Sequence, residues 1–376
     1  VTRGFDVAEY HARVRRAQTE MARAGLGALL LTTEPQIRYF TGFLTRFWES
    51  PSRPWFLILP ASGDPVAVIP SIGAALMGST WISDIRTWAA PDPDDDGVTL
   101  LADTLRELGG PVGLPDGPES HLRMPLGDFE RVRHASGLDW RGDDGIVAAV
   151  RAVKSEAEIA KIAQACDIAG RAFDRVAEIA APGVPLSLVF RDFQRLLLEE
   201  GADWVPYLAG GAGPEGYADV ISPASDVPLA EGDVLMLDTG AVRDGYFCDF
   251  DRNFAIARST AVQRDAQARL IEATLAGEAA ARAGARACDL WQAMADIVGG
   301  AEGAGRLGHG LGMQLTEGLS LTAKDQTVLQ PGMVITLEPG VNLAPGRIMV
   351  HEENIVITEG APRRLSRFAT SDLPVI

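Results

Sequence analysis

Apolar positions recur every three to four residues over 8–24, with Asp6 at the place of an N-cap and Gly25 just past the last of them. That spacing predicts an amphipathic helix. The pattern then shortens. Ala28–Leu31 is an unbroken apolar run of strand length, and Trp55–Leu59 and Pro65–Ile69 repeat it around the turn-forming ASGDP at 61–65. Helical spacing returns over Leu100–Leu108 and Leu126–His134, with the strand-like PVGLP between them. Strands alternating with helices predict a compact α/β domain over residues 1–148.

Past the turn residues of 141–150 the pattern changes. Ser155-Glu156-Ala157-Glu158 is a capping box that opens a helix running to about Ala180 and stopping at Pro182-Gly183. A second helix is expected over Leu186–Glu200. The domain boundary is placed near 145–152, so that a second domain of α+β type fills 149–376. Its expected strands are Val234–Asp238, Tyr246–Ala255, Met333–Leu337 and Asn354–Thr358, and its expected helices 261–284 and 287–298. The glycine-rich Tyr207–Tyr217 reads as a mobile substrate loop or an irregular connection. Asp92–Asp96 reads as a solvated acidic turn.

Composition narrows the function. With 47% hydrophobic residues in 376 the chain can bury sizeable cores. A formal net charge of −17 repels nucleic acid and anionic membranes and suits metal ions and cationic or zwitterionic small molecules. Cys166, Cys248 and Cys288 form neither a disulfide framework nor a zinc pattern. No apolar leader opens VTRGFDVAEY and no apolar run approaches membrane-spanning length. A soluble, cytoplasmic protein is expected.

The chemistry lies in the second half. Asp238 ends the apolar run VLML, Asp249 follows on the return strand of a hairpin, Glu338 ends MVITL, and Glu352 precedes NIVIT. A carboxylate at the end of a buried strand is costly unless something neutralises it. A divalent metal pair does so, and it needs several carboxylates and one or two imidazoles. His309, in Gly308-His309-Gly310-Leu311-Gly312, supplies an imidazole.

These pieces resemble the M24 metallopeptidase superfamily of creatinase, aminopeptidase P, prolidase and methionine aminopeptidase. The matching segments are LDTG (237–240), DFDRNF (249–254), GHGLG (308–312), TLEPG (336–340) and HEENIVIT (351–358), with IRYFTGF (37–43) and the linker VKSE (153–156) in support. The resemblance implies a creatinase-like α/β N-terminal domain and a "pita-bread" α+β catalytic domain. It implies two divalent ions (Mn, Fe, Co or Zn), with Asp238 on one, Asp249 and Glu352 bridging, and His309 and Glu338 on the other. It implies a metal-bridged hydroxide that attacks the carbonyl of an Xaa-Pro-type amide, with Glu338 carrying the proton to the leaving nitrogen. A homodimer is also implied, in which small-domain loops such as Trp48–Trp55, with Pro51 and Pro54, reach toward the partner's site.

The chain departs from the proline-specific members around the metals. The loop at 207–226 has no histidine, Thr316 stands where a histidine is expected, and Val350 replaces an arginine. Asp251 stands where Thr or Ser is usual. By strand alternation it shares a face with Asp249, where it is expected to hold a cationic substrate group or act as a base, unless it pairs with Arg252 or another arginine. His351 is expected to point away from Glu352 into the packing. These differences keep a second reading open: a C–N hydrolase acting on a small non-peptide compound, as ectoine hydrolase does. A dimethylsulfoniopropionate lyase is disfavoured by Gly240, and a metal-free creatinase mechanism or a non-catalytic binding module by the full ligand set.

Overall fold

Helix α1 (Val7–Ala24) ends where Gly25 turns left-handed at φ 65°, which lets the next N–H groups close on the carbonyls of Ala22 and Met21. The computed structural model describes residues 3–48, 54–299 and 305–376. The chain divides into two compact units, Val1–Arg151 and Ala152–Ile376.

In the first unit α1 is followed by β1 (Ala28–Leu31), α2 (Glu34–Thr41), β2 (Phe56–Pro60), β3 (Val66–Pro70), α3 (Ala74–Met77) and β4 (Asp84–Trp88). Then come α4 (Val98–Leu108), β5 (Val112–Leu114), α5 (Leu126–Ser136), β6 (Trp140–Gly142) and α6 (Ile146–Ala152). The strands form one six-stranded mixed sheet in the order β4-β3-β2-β1-β5-β6. Every residue of β1, β2 and β3 is buried, which is why these strands read as plain apolar runs. Helix α2 escaped the periodicity because its eight residues make little more than two turns, too short a run to establish the spacing. Trp48, Pro54 and Trp55 are buried, with the Trp48 and Trp55 rings 5.9 Å apart and the Arg123 guanidinium over Trp48. Pro51, between them, lies outside the described residues.

The second unit opens with α7 (Glu156–Asp174), whose capping box closes through Ser155 and Glu158 as its sequence predicts. The α-helix is shorter than expected, because its last turn tightens into a 3-10 turn at Val176–Glu178. Next come α8 (Leu186–Glu199), β7 (Trp204–Gly213), β8 (Val234–Arg243), β9 (Tyr246–Phe247) and β10 (Phe250–Ala255). Helices α9 (Ala261–Ala280) and α10 (Ala287–Val298) lead to β11 (Val334–Leu337), β12 (Gly340–Ala344), β13 (Arg347–Val350), β14 (Glu353–Val356) and β15 (Arg363–Arg364). The sheets run β10-β8-β7 with β9 on β8, β11-β14-β15, and the hairpin β12-β13. Leu290, Trp291 and Met294 of α10 pack with Ile335, Leu337 and Ile355 of β11 and β14 in one core.

Strand β7 corrects the expectation of a loop or irregular connection at Tyr207–Tyr217. Its residues from Tyr207 to Gly213 pair antiparallel with β8. The glycines are there because neighbours come close. Gly210 sits at φ 152°, and a Cβ on it would lie 2.2 Å from the Met236 carbonyl oxygen. Gly210→Ala is therefore expected to cost at least about 2 kcal/mol, by combining a strained backbone with a clash against backbone. Gly170→Ala, where a Cβ meets nothing within 4 Å on helix α7, serves as the control. Urea midpoints measure both, and equal midpoints for the two variants would contradict this account of β7.

Candidate metal centre

The β8–β10 register sets Asp238 opposite Asp251, and β7 sets Ala209 on the other side of Asp238. Asp249 occupies the break between β9 and β10, where no ladder holds it. Asn354 of β14 holds it instead. Its side-chain oxygen accepts the Asp249 N–H at 3.1 Å, and its amide donates to the Asp249 carbonyl. The Cys166 thiol donates to the same Asn354 oxygen at 3.2 Å.

His309 is fixed from three directions. Thr336 Oγ1 accepts its N–H at 3.1 Å, and the Thr336 N–H donates to its carbonyl at 2.7 Å. The ring Nδ1–H donates to the Gly310 carbonyl at 2.9 Å. That assignment leaves the Nε2 lone pair facing inward, the form an imidazole needs as a metal ligand. Nε2 lies 3.3 Å from Asp249 Oδ2 and 3.7 Å from Glu352 Oε1. The flanking glycines admit the close approach this requires: a Cβ on Gly308 would lie 2.2 Å from the Thr336 carbonyl oxygen.

Leu337 of β11 pairs with Glu353 of β14, so Glu338 and Glu352 leave the ends of adjacent strands side by side. One ligand atom each from Asp249, His309 and Glu352 lie within 4.8 Å of one another, a spacing that can hold an ion. Asp238 and Glu338 stand outside that trio, close enough for their charges to act on it. Tyr207 donates its hydroxyl to Asp238 Oδ2 at 3.0 Å.

This is an expensive arrangement without a cation. Burial, then the charges of the neighbouring acids, pushes the carboxyl groups of Asp238, Asp249 and Glu352 well above the usual carboxylate range. Glu338 is raised as well, chiefly by burial, with His309 and Arg306 pulling the other way. Asp238 Oδ1, Asp249 Oδ1 and Glu352 Oε1 are buried with no hydrogen-bond partner. Inward-facing carboxylate oxygens without partners, beside an imidazole lone pair, fit divalent cations that take oxygen and nitrogen ligands.

Behind the acids lies a second layer. Asp251, 1% exposed, accepts the Glu352 N–H on Oδ1 at 3.0 Å, and that oxygen lies 3.3 Å from His351 Nδ1. His351 Nε2 lies 3.2 Å from Glu353 Oε1. Arg252 directs its guanidinium to Glu353 at 3.1 Å, and no described hydrogen bond or ion pair joins it to the Asp251 carboxylate. Burial would lower the His351 pKa, but Asp251 and Glu353 outweigh it and raise the value. Burial alone would raise Glu353, yet Arg252 and His351 hold it down at about 2. Tyr207, Thr336 and Asn354 are the supporting residues that the sequence reading missed. The one available signal was a polar residue inside an otherwise apolar strand, as Thr336 is in VITL.

The Metallopeptidase family M24 model matches residues 160–359, and the Creatinase/Prolidase N-terminal domain model matches residues 13–153. The chain belongs to metallopeptidase family M24. Among its relatives is a probable dipeptidase PepE of Mycobacterium bovis, 30% identical over 362 residues that cover 95% of this chain and 94% of that one. An Xaa-Pro dipeptidase of Pyrococcus horikoshii is 29% identical over 258 residues, covering 65% of this chain and 71% of that one. The crystal structure of dipeptidase PepE from Mycobacterium ulcerans superposes with a TM-score of 0.84 at 28% identity, covering 99% of each chain. The creatinase-like and pita-bread architecture expected from the motifs is thus the observed one.

The raised acids set the pH dependence of the metal-free protein. A carboxyl whose folded pKa lies above its unfolded value contributes stability that is present at low pH and lost as pH rises through the folded value. Metal-free protein should therefore lose thermal stability as pH rises above the usual carboxylate range, and Asp249→Asn should flatten that slope. The low-lying Glu353 acts in the opposite sense, but only toward pH 2, outside this window. Added Mn²⁺ should raise the melting temperature most at the upper end. A wild-type slope unchanged in Asp249→Asn would contradict the assignment of buried, mutually repelling acids.

Proposed function

We propose that the chain is a dinuclear metal-dependent hydrolase of a C–N bond, acting on dipeptides of the Xaa-Pro class. The observation that carries this reading is the buried Asp249–His309–Glu352 trio, with ligand atoms within 4.8 Å of one another, flanked by Asp238 and Glu338. Asp238 would hold one ion, Asp249 and Glu352 would bridge, and His309 and Glu338 would hold the other. When bound, such ions lower the pKa of water and polarise a carbonyl. One imidazole among four carboxylates suits Mn²⁺ and does not exclude Fe, Co or Zn.

The chain's own groups do the rest. Glu338, at the edge of the cluster and partly exposed, is the carboxyl placed to move a proton to the leaving nitrogen. Tyr207 orients Asp238 through its hydroxyl. Asp251, out of solvent and on the Glu352 N–H, acts by holding that ligand's backbone rather than by touching substrate. Three free cysteines support a reducing, cytoplasmic setting. Among the described residues no helix is long and apolar enough to cross a membrane. A homodimer rests on the family resemblance.

A second reading, a small non-peptide amide as substrate, is favoured by Thr316 in a histidine's place and by the histidine-free 207–226 segment. Loss of one oxyanion-stabilising donor typically costs about 10²–10³ in rate, so whatever fills that place decides the substrate. The separating assay sets Mn²⁺-loaded protein against Xaa-Pro dipeptides, other dipeptides, and small cyclic or N-alkylated amides. Turnover of Xaa-Pro dipeptides, abolished by Asp249→Ala or His309→Ala, is the expected result. Turnover confined to the non-peptide amides would overturn the dipeptidase reading and leave the metal chemistry standing.

A further inference from the structure

We propose that Arg306, presented by Thr316, is the anion-binding point of the substrate site and takes the α-carboxylate of the bound dipeptide. This rests on the dipeptidase reading above.

The need is electrostatic. A dipeptide brings a carboxylate to a protein of net charge −17, where two divalent ions would already be balanced by the carboxylates of Asp238, Asp249, Glu338 and Glu352. Without a positive group at the rim, the anionic end of the substrate is repelled from the site.

Arg306 is placed to be that group. It precedes Leu307, whose carbonyl accepts the Glu338 N–H at 3.0 Å, so its backbone is tied to the strand end that carries a ligand. It stands three residues before His309. Its charge also opposes the upward shifts of Asp249 and Glu338. The side chain is exposed, and among the described residues it makes no ion pair. Several other surface arginines of this unit are committed, Arg171 and Arg175 both to Glu200, Arg195 to Asp192, Arg286 to Asp289 and Arg364 to Glu278, whereas Arg306 is the one whose charge is felt by the site acids.

Thr316 fixes the headgroup. Arg306 Nη1 donates to Thr316 Oγ1 at 3.2 Å, which leaves the Nε/Nη2 edge of the fork for a two-point carboxylate interaction. Thr316 can serve as a mount because its neighbour is anchored. Glu317 is buried, pairs with Lys154 at 2.9 Å and accepts the Met313 N–H at 3.0 Å. The residue at the expected histidine position thus becomes the bracket for an arginine, and the recognition moves from an imidazole to a guanidinium.

The test uses Mn²⁺-loaded full-length protein as wild type, Arg306→Met, Arg306→Lys and Thr316→Ala. Each is assayed on Ala-Pro and on its C-terminal amide, with metal content and melting temperature confirming that the variants fold. Arg306→Met removes the charge-assisted hydrogen bonds to the carboxylate. It should raise KM for Ala-Pro roughly 10- to 100-fold and leave KM for the amide unchanged. Arg306→Lys should recover part of the loss, and Thr316→Ala should show a smaller rise of the same selectivity. Equal effects on acid and amide would overturn the proposal while leaving the dipeptidase reading intact. Titration calorimetry with L-proline judges Arg306 without catalysis. Binding at least tenfold weaker in Arg306→Met supports the proposal; unchanged affinity, or no binding to wild type, overturns it. Should wild type cleave no dipeptide, the dipeptidase reading fails, and the calorimetric result alone decides Arg306.

Discussion

The second unit is organised around like charges held out of water. Asp238, Asp249, Glu338 and Glu352 come from four different places in the chain, and burial with mutual repulsion raises all of them. Tyr207, His309 and Arg306 relieve this only in part, and oxygens of three of the acids have no partner. Protonation relieves the rest at low pH, and at neutral pH a divalent cation would do so. The supports follow from that constraint. Asn354 holds the Asp249 backbone at a break in the sheet, Thr336 and Gly310 fix the His309 ring, and Asp251 holds the Glu352 N–H. Each fixes a ligand's backbone or ring from behind, and the inward atoms stay open.

A second consequence concerns the residues just outside that cluster. His351 lies between the carboxylates of Asp251 and Glu353, and Arg252 sits on Glu353. This network offsets part of the added carboxylate's charge, although Asp251 still raises the neighbouring acids. On the open side, Thr316 and Arg306 stand together on a loop braced by Lys154 and Glu317. Chemistry and specificity are therefore supplied by different layers. The proposed ligand set is the one the family resemblance implies, while Thr316 at the rim departs from it.

What could be read from the sequence follows the same division. The candidate ligands stood out because an acid that ends an apolar strand is conspicuous, as Asp238 after VLML and Glu338 after MVITL are. Strands buried on both faces, such as β1 and β2, were legible as apolar runs. Strand β7 was not, because the close approach of Met236 demands glycines there, and glycine-rich sequence looks like loop. Helix α2, at eight residues, was too short for its spacing to announce a helix. The Asn354 clamp on Asp249 joins residues 105 apart, and no local pattern encodes such a pairing. Asp251 stands out in the sequence as unusual, but its surroundings could not be read there: the sequence left a substrate-facing role and pairing with an arginine both open, and the fold supplies His351 and the Glu352 N–H.

The central claim is that these acids and His309 are held apart from solvent to bind a pair of divalent ions. Elemental analysis with titration calorimetry of Mn²⁺ into metal-free protein tests it most directly. The account predicts two ions per chain in the wild type and loss of both in Asp249→Ala, since that carboxylate is assigned to bridge them. Wild type that takes up no ion, or an Asp249→Ala variant that binds like wild type, would contradict it.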